Sequence, residues 1–465
     1  MKNINYIVIA IMALVFTSCD EYLDIEPKGQ VILKNVEEYK GILNDAKFLH
    51  GDYFMNVTVA TDEFWPFNEQ DIIDNKDIVT TANFLWDESA DRVSNTFSDL
   101  FYDKSYERIS RYNIILQEVL DAEGSTEEKK EVYAMAKILR AFNHFMLVNT
   151  YAKQYTAATA ASDNGILLVK KFDMEQTLTQ STVQEAYDFI LQDINEALPD
   201  LQTVTDSPMF PGKSFGYALL AKVHLFKGDF QAALETSDKS LTINNYIFDM
   251  VDWHFQGMPS FPVPSNPAVE FDTPENLYYG GGQWGRPAGT IGQTAVDRFG
   301  PNEGLGSGDI RLDDFYAKPW WMPDPKVSLW FARDYYYNTA GIKSTEVYLM
   351  KAECLARTGN VSGAIDIVNA LRVKRVLPDV YVDLVAGSEK EAIEIIIDER
   401  ARELMGTSNR LWDMRRLNVD PDYAKIYTKE FNGQMYSLNP GSHILIMPFA
   451  RTATDKNENL KQNTK

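Results

Sequence analysis

Among the side chains that could do chemistry, the flat aromatic ones fall in two places. Trp65 and Trp86 lie in a polar stretch, 62–86, that also holds Phe67 and Asn68. Tyr278, Tyr279, Trp284, Trp320 and Trp321 lie in a second stretch, 248–325, which is rich in proline and glycine and contains Gly280-Gly281-Gly282. A sugar ring has apolar faces and polar edges. A site for one stacks indole or phenol rings on the faces and offers amides or a guanidinium to the hydroxyls. An exposed aromatic platform of this kind needs a functional reason. The candidate ligand contacts are therefore Trp65, Trp86, Trp284, Trp320 and Trp321, with Tyr278 and Tyr279 behind them. Asn68, Gln283 and Arg286 are the candidate polar partners. Trp412 is assigned to the core.

Covalent chemistry has less to rest on. The five histidines (His50, His144, His224, His254, His443) are scattered, and no His-Glu-x-x-His pair exists for zinc. His224 falls on a helical pattern and is read as a packing residue. Gly212-Lys213-Ser214-Phe215-Gly216 has the spacing of a hydrolase nucleophile elbow, but that elbow needs a buried strand before it. The preceding 203–211 is polar and carries two prolines, so Ser214 is read as a helix cap. Gly304-x-Gly306-x-Gly308 lacks the strand and helix of a nucleotide loop and is read as a flexible turn. A glycosidase needs only two placed carboxylates, and among 67 acidic residues such a pair carries no information. Asp71, Asp74 and Asp77 lack the glycine and glutamate of a calcium loop and read as a solvated face. No cofactor, no catalytic residue and no metal site is expected.

The elements that must position these residues begin behind a leader. Lys2 precedes an apolar run, 4–16, interrupted only by Asn5 and Tyr6, and Thr17-Ser18-Cys19 follows. That run is too short to span a bilayer, for which about 20 apolar residues are needed. Small residues directly before a cysteine mark 1–18 as a lipoprotein signal peptide and Cys19 as the acylated residue. The acidic Asp20, Glu21 and Asp24 follow at once. Cys354 is the one other cysteine, so lipidation leaves no intrachain disulfide and the fold relies on its core. A formal charge of −22 excludes nucleic acid as a partner and argues against electrostatic docking on anionic lipid.

Most of the regular structure reads as helix. Val132, Met135, Ala136, Leu139, Phe142, Phe145 and Met146 share one face of a helix over 132–151. A second helix opens at Thr182, where Glu185 completes a capping box, and stops at Pro199. Two later segments repeat one another about a glycine. Gly228 matches Gly359, Ala233 matches Ala364, Tyr217 pairs with Tyr348 and Ala221 with Ala352. Small residues at a helix crossing, with a glycine at the turn, predict helical hairpins of tetratricopeptide type. The fold class is mostly all-α, with a helical core at about 90–245 and 343–417 and an irregular, loop-rich region at about 248–330.

Several short motifs, in order, resemble the SusD-like (SusD/RagB) family. They are Tyr22-Leu23-Asp24 and Pro27 behind the cysteine, Leu139-Arg140-Ala141, the 187–198 helix with Asp193 and Ala197, and Asp309-Ile310-Arg311-Leu312. The C-terminal third adds Asp398-Glu399-Arg400-Ala401-Arg402-Glu403-Leu404 and Asn409-Arg410-Leu411-Trp412-Asp413-Met414-Arg415-Arg416. Ile446-Met447-Pro448 and Asn457-Glu458-Asn459-Leu460-Lys461-Gln462-Asn463 close the chain, with Ile446 and Glu458 where the family has prolines. The resemblance implies one domain over 19–465 and a surface-exposed outer-membrane lipoprotein that binds glycans. It also implies a SusC-like TonB-dependent transporter as partner and no enzymatic activity. The rival readings are capture of peptides or another polymer on the same scaffold, and a surface glycoside hydrolase.

Overall fold

A computed structural model of the protein describes residues 33–43, 54–256, 272–281, 289–300, 306–317, 329–331 and 337–465. Cys19, Gln283, Trp284, Arg286, Trp320 and Trp321 lie outside them. Among the described residues, nine helices have ten residues or more. They are α1 (Leu100–Glu118), α2 (Thr126–Tyr151), α3 (Val183–Ala197), α4 (Lys213–Lys227), α5 (Phe230–Ile243), α6 (Ser344–Arg357), α7 (Val361–Arg372), α8 (Glu389–Glu403) and α9 (Asn409–Asn418).

The expected hairpins form. Gly228 ends α4 at φ +83° and Gly359 ends the α6–α7 turn at φ +93°, a backbone region that costs other residues more. Ala221, Ala233, Ala352 and Ala364 are fully buried where the helices meet. The hairpins stack in sequence order: α2 packs on α1 and α3, α4 on α5, α5 on α6, and α6 on both α7 and α8. Thr182 and Glu185 make the predicted capping box on α3. Helix α2 starts earlier than its apolar period does, because Ser125 and Glu128 form a second capping box ahead of a polar first turn. Trp412 is core as expected, edge-on to Phe145 at 6.2 Å.

Ser214 is not the cap of α4. Gly212 holds that position, and the buried Ser214 hydroxyl donates to the Ser240 carbonyl at 3.1 Å, tying α4 to α5. The Gly306-Ser307-Gly308 turn is also held rather than loose. Its three amides donate to the Asp313 carboxylate at 2.8, 3.1 and 2.7 Å, so a side chain of this chain fills the nest.

The short strands are β1 (Phe64–Trp65), β2 (Asn164–Leu167), β3 (Gln180–Thr182), β4 (Asn276–Tyr278), β5 (Thr290–Ile291), β6 (Tyr316–Ala317), β7 (Trp330–Phe331), β8 (Ile342–Lys343), β9 (Tyr427–Phe431) and β10 (Gln434–Leu438). They pair antiparallel as β1–β5, β2–β3, β4–β8, β6–β7 and β9–β10.

The charged motif on α8 and α9 turns inward. Arg416 grips Glu353 of α6 with two bonds of 2.6 Å and reaches Asp413 at 2.7 Å, and Arg400 meets Asp413 at 3.1 Å. Arg375 joins Glu403 to Glu275, and Arg311 joins Asp309, Glu399 and Glu403. Burial alone would raise the pKa of Asp413, but Arg400 and Arg416 outweigh it and hold it at about 2. Arg311 does the same for Glu399, also to about 2. Matched so closely, these charges cross-link the helices and the irregular region.

Candidate functional site

The site is built outward from a buried pair of carboxylates. Asp62 and Glu63 precede β1 and are both inside the protein, where unpaired charge is prohibitive. Arg410 of α9 clamps Asp62 with a planar pair of bonds, Nε to Oδ1 at 2.8 Å and Nη2 to Oδ2 at 2.7 Å. Arg298 spans the two, 2.7 Å to Asp62 and 2.9 Å to Glu63. Burial acts to raise the Asp62 pKa, yet Arg410 and Arg298 together carry it well below the usual carboxylate range. For Glu63 burial wins and its pKa is raised. This ion cluster fixes the approach to β1.

Trp65 sits on that fixed base. β1 pairs with β5 so that Trp65 stands opposite Thr290, whose hydroxyl donates to the Trp65 carbonyl at 2.8 Å. The half-buried indole meets Phe84 at 5.6 Å and Phe431 at 5.8 Å in edge contacts, over the small core of Val59, Phe64, Ile72, Phe84 and Phe431. Gly292 lies against the ring, and a Cβ there would come within 2.8 Å of Trp65 Cε3. The indole N–H donates to Glu69 at 2.8 Å. Asn68 is exposed and caps the short helix Glu69–Ile73 through Gln70 N, at 3.1 Å, while its amide donates to Asp71 at 2.9 Å. Phe67 is 45% exposed beside it. The result is an aromatic shelf with amide and carboxylate groups at its edge.

The described ends of two further segments reach this shelf. Gly289, which follows 282–288, abuts Phe64, and β5 next to it pairs with β1. Leu329, which follows 318–328, bridges to Ile291 of β5.

Other predicted contacts are core residues. Trp86 is buried at the left-handed C-cap of the helix Ile78–Leu85, with its indole N–H donating to the Ala60 carbonyl at 2.9 Å. The Lys429 ammonium lies 4.0 Å from its ring centroid. Tyr278 packs against Phe215 at 4.7 Å and Phe142 at 6.0 Å, where β4 docks on the helices. Tyr279 is 4% exposed. None of the three presents a platform. The run Leu277-Tyr278-Tyr279 ahead of three glycines was the available signal, an apolar strand entering a close backbone turn. Lys429, Asp62, Glu63 and Arg410 gave no sequence signal as neighbours. Among the described residues, no group of three or more His, Cys, Asp or Glu side chains is placed to hold a metal, and no helix is long and apolar enough to cross a membrane.

Residues 21–225 match the family profile described as starch-binding and associating with the outer membrane, and residues 334–465 match the SusD family profile. The chain belongs to the SusD family. A SusD-like protein of Formosa agariphila is 24% identical over 90% of this chain and 92% of its own length. A SusD superfamily crystal structure from Bacteroides thetaiotaomicron shares the fold at a TM-score of 0.72 and 16% identity, covering 93% of this chain and all of that one. A putative sugar binding protein from Bacteroides vulgatus aligns at 0.71 and 17% identity, over 93% of this chain and 99% of that one. A laminarin binding SusD-like protein aligns at 0.64 and 18%, with the same coverage. The SusD scaffold is the helical stack described above, and the SusD family is carbohydrate-binding and associated with the outer membrane.

Proposed function

We propose that this chain is a lipid-anchored, surface-exposed SusD-like protein that captures a glycan and passes it to a SusC-like TonB-dependent transporter without covalent chemistry. The observation that carries the reading is the half-buried Trp65, held on a buried ion cluster with Asn68 and Phe67 exposed next to it. Energy of this kind invested in the base of one indole suits a rigid stacking surface, which gains affinity by being preorganised. Trp284, Trp320 and Trp321, with Gln283 and Arg286, complete the aromatic surface in this reading, since the described chain that follows each of their segments, at Gly289 and at Leu329, borders β5. Cys19 carries the anchor.

A glycan-array screen of protein beginning after Cys19, repeated with Trp65→Ala, Trp284→Ala and Trp320→Ala, tests it. Selective binding of one polysaccharide, weakened about tenfold or more by Trp65→Ala, is expected, since loss of one buried-edge aromatic contact costs on the order of 1–2 kcal/mol. Binding of peptides in place of sugars, or sugar binding that all three substitutions leave unchanged, overturns it.

A further inference from the structure

The rim of the shelf carries a carboxylate in direct contact with its indole. Glu69 Oε1 accepts the Trp65 N–H at 2.8 Å, and this is the one hydrogen bond that the exposed Glu69 carboxylate makes among the described residues. Its other oxygen is left for a ligand or for water. The short helix Glu69–Ile73 brings more acids to the same edge. Asn68 donates to Asp71 at 2.9 Å, and Gln70 donates to the exposed Asp74 at 2.7 Å. Asp77, also exposed, caps the helix Ile78–Leu85, whose Phe84 stands edge-on to the indole. Glu430 of β9 is exposed beside Phe431, the second ring against Trp65.

The basic groups of these elements do not offset the acids. Lys76 is held by Asp71 at 2.5 Å. Arg298 and Arg410 are committed to the buried Asp62 and Glu63, and Lys429 is buried against the Phe84 and Trp86 rings. Lys425 is exposed, but it lies over Tyr427, at the other end of β9 from Phe431. In the adjoining segments 282–288 and 318–328 the sequence has Arg286, Lys318 and Lys326 against Asp324, a smaller surplus of bases than the rim's surplus of acids. The chain as a whole acts in the same sense, with a formal charge of −22. A sugar stacked on Trp65 presents the substituents of its ring edge to Glu69. A hydroxyl there donates to the carboxylate in a charge-assisted bond, whereas a sulfate or a uronate meets like charge. We propose that Glu69 is a further ligand-binding residue, accepting from a hydroxyl of the ring on Trp65, and that the glycan captured is uncharged. The inference rests on the glycan-capture reading and narrows it to neutral polysaccharides.

Binding of the mature chain to neutral, uronate-bearing and sulfated polysaccharides tests this, at low ionic strength where exposed charges are least screened. The variants are Glu69→Gln and Trp65→Ala. Glutamine can still accept the indole N–H, so Glu69→Gln keeps the ring in place and exchanges the second oxygen for an amide. The expected ligand is a neutral polysaccharide. Glu69→Gln should weaken it about tenfold, the difference between a charge-assisted and an ordinary hydrogen bond, with the melting temperature unchanged. Selective capture of an anionic polysaccharide, weakened by Trp65→Ala, overturns the proposal and leaves capture at the shelf standing. A neutral ligand held equally by the wild type and Glu69→Gln takes Glu69 out of the site and overturns it too. Binding to no polysaccharide of any charge overturns both readings.

Discussion

Of the three buried arginines on helix α9, Arg410 and Arg415 are treated oppositely. Arg410, near its start, points to the shelf and finds Asp62 with two matched bonds of 2.8 and 2.7 Å. Arg415, near its end, meets a single backbone carbonyl, that of Ala152. A buried guanidinium saturated by carboxylates is part of the fold: it fixes where other residues stand and has no bond to give. One that meets no carboxylate leaves its own desolvation uncompensated. Burial and charge alone do not separate the two. The presence of a carboxylate partner does.

The largest expected effect lies on the matched side. Arg410→Met leaves the buried Asp62 with Arg298 as its remaining guanidinium partner, and removing one member of such a cluster costs about 3–5 kcal/mol. Urea unfolding of the variant should show a loss of that size, accompanied by weaker glycan binding as β1 loosens. Wild-type stability with intact binding would mean that the ion cluster does not support the shelf.

A smaller effect, with a sign set by pH, comes from Lys429 of β9. Its ammonium is 6% exposed, donates to the Thr61 carbonyl at 3.2 Å and lies 4.4 Å from the Phe84 ring and 4.0 Å from the Trp86 ring. Burial lowers its pKa from 10.5 to about 7. Between those values the unfolded chain holds a proton that the native chain has released, so stability rises with pH across that window. The slope is at most about 1.4 kcal/mol per pH unit. Relative to Lys429→Met, which has no such slope, the wild type should gain about 2–3 kcal/mol from pH 7 to pH 9. Parallel profiles for the two proteins would mean that the two ring faces keep the ammonium charged throughout.

What the sequence made legible was local. The Thr182–Glu185 box, the matched glycines at 228 and 359 and the small residues near them are short-range patterns, and each does in the structure what its spacing predicts. The shelf was half legible. Trp65 and Trp86 share one polar stretch, and nothing within it distinguishes them. The difference is made by Lys429, more than three hundred residues away, which sits over Trp86. The Asp62–Arg410 clamp spans a similar separation of 348 residues. Sequence periodicity carries no information at that range. The alternating acids and bases of 398–403 read as a motif without a location, because a surface stripe and a buried web have the same composition. Arg415 falls within such a motif too, and its lack of a carboxylate partner emerges only once its neighbour Arg416 has taken Glu353 and Asp413.

The sharpest test of the comparison is therefore the smallest. Arg415→Met removes a buried charge that has no carboxylate partner among the described residues, together with one hydrogen bond to Ala152. The lost bond is worth about 0.5–1.5 kcal/mol, and relief from an uncompensated buried charge acts in the opposite direction. The net change in unfolding free energy should lie within about 1 kcal/mol of zero, several-fold less than for Arg410→Met on the same helix. If the two variants instead lose equal stability, the guanidinium at 415 is as structural as the one at 410. If Arg415→Met leaves the melting curve in place while Arg410→Met lowers it, the two ends of α9 divide, the carboxylate-paired guanidinium holding the scaffold and the other adding little to it.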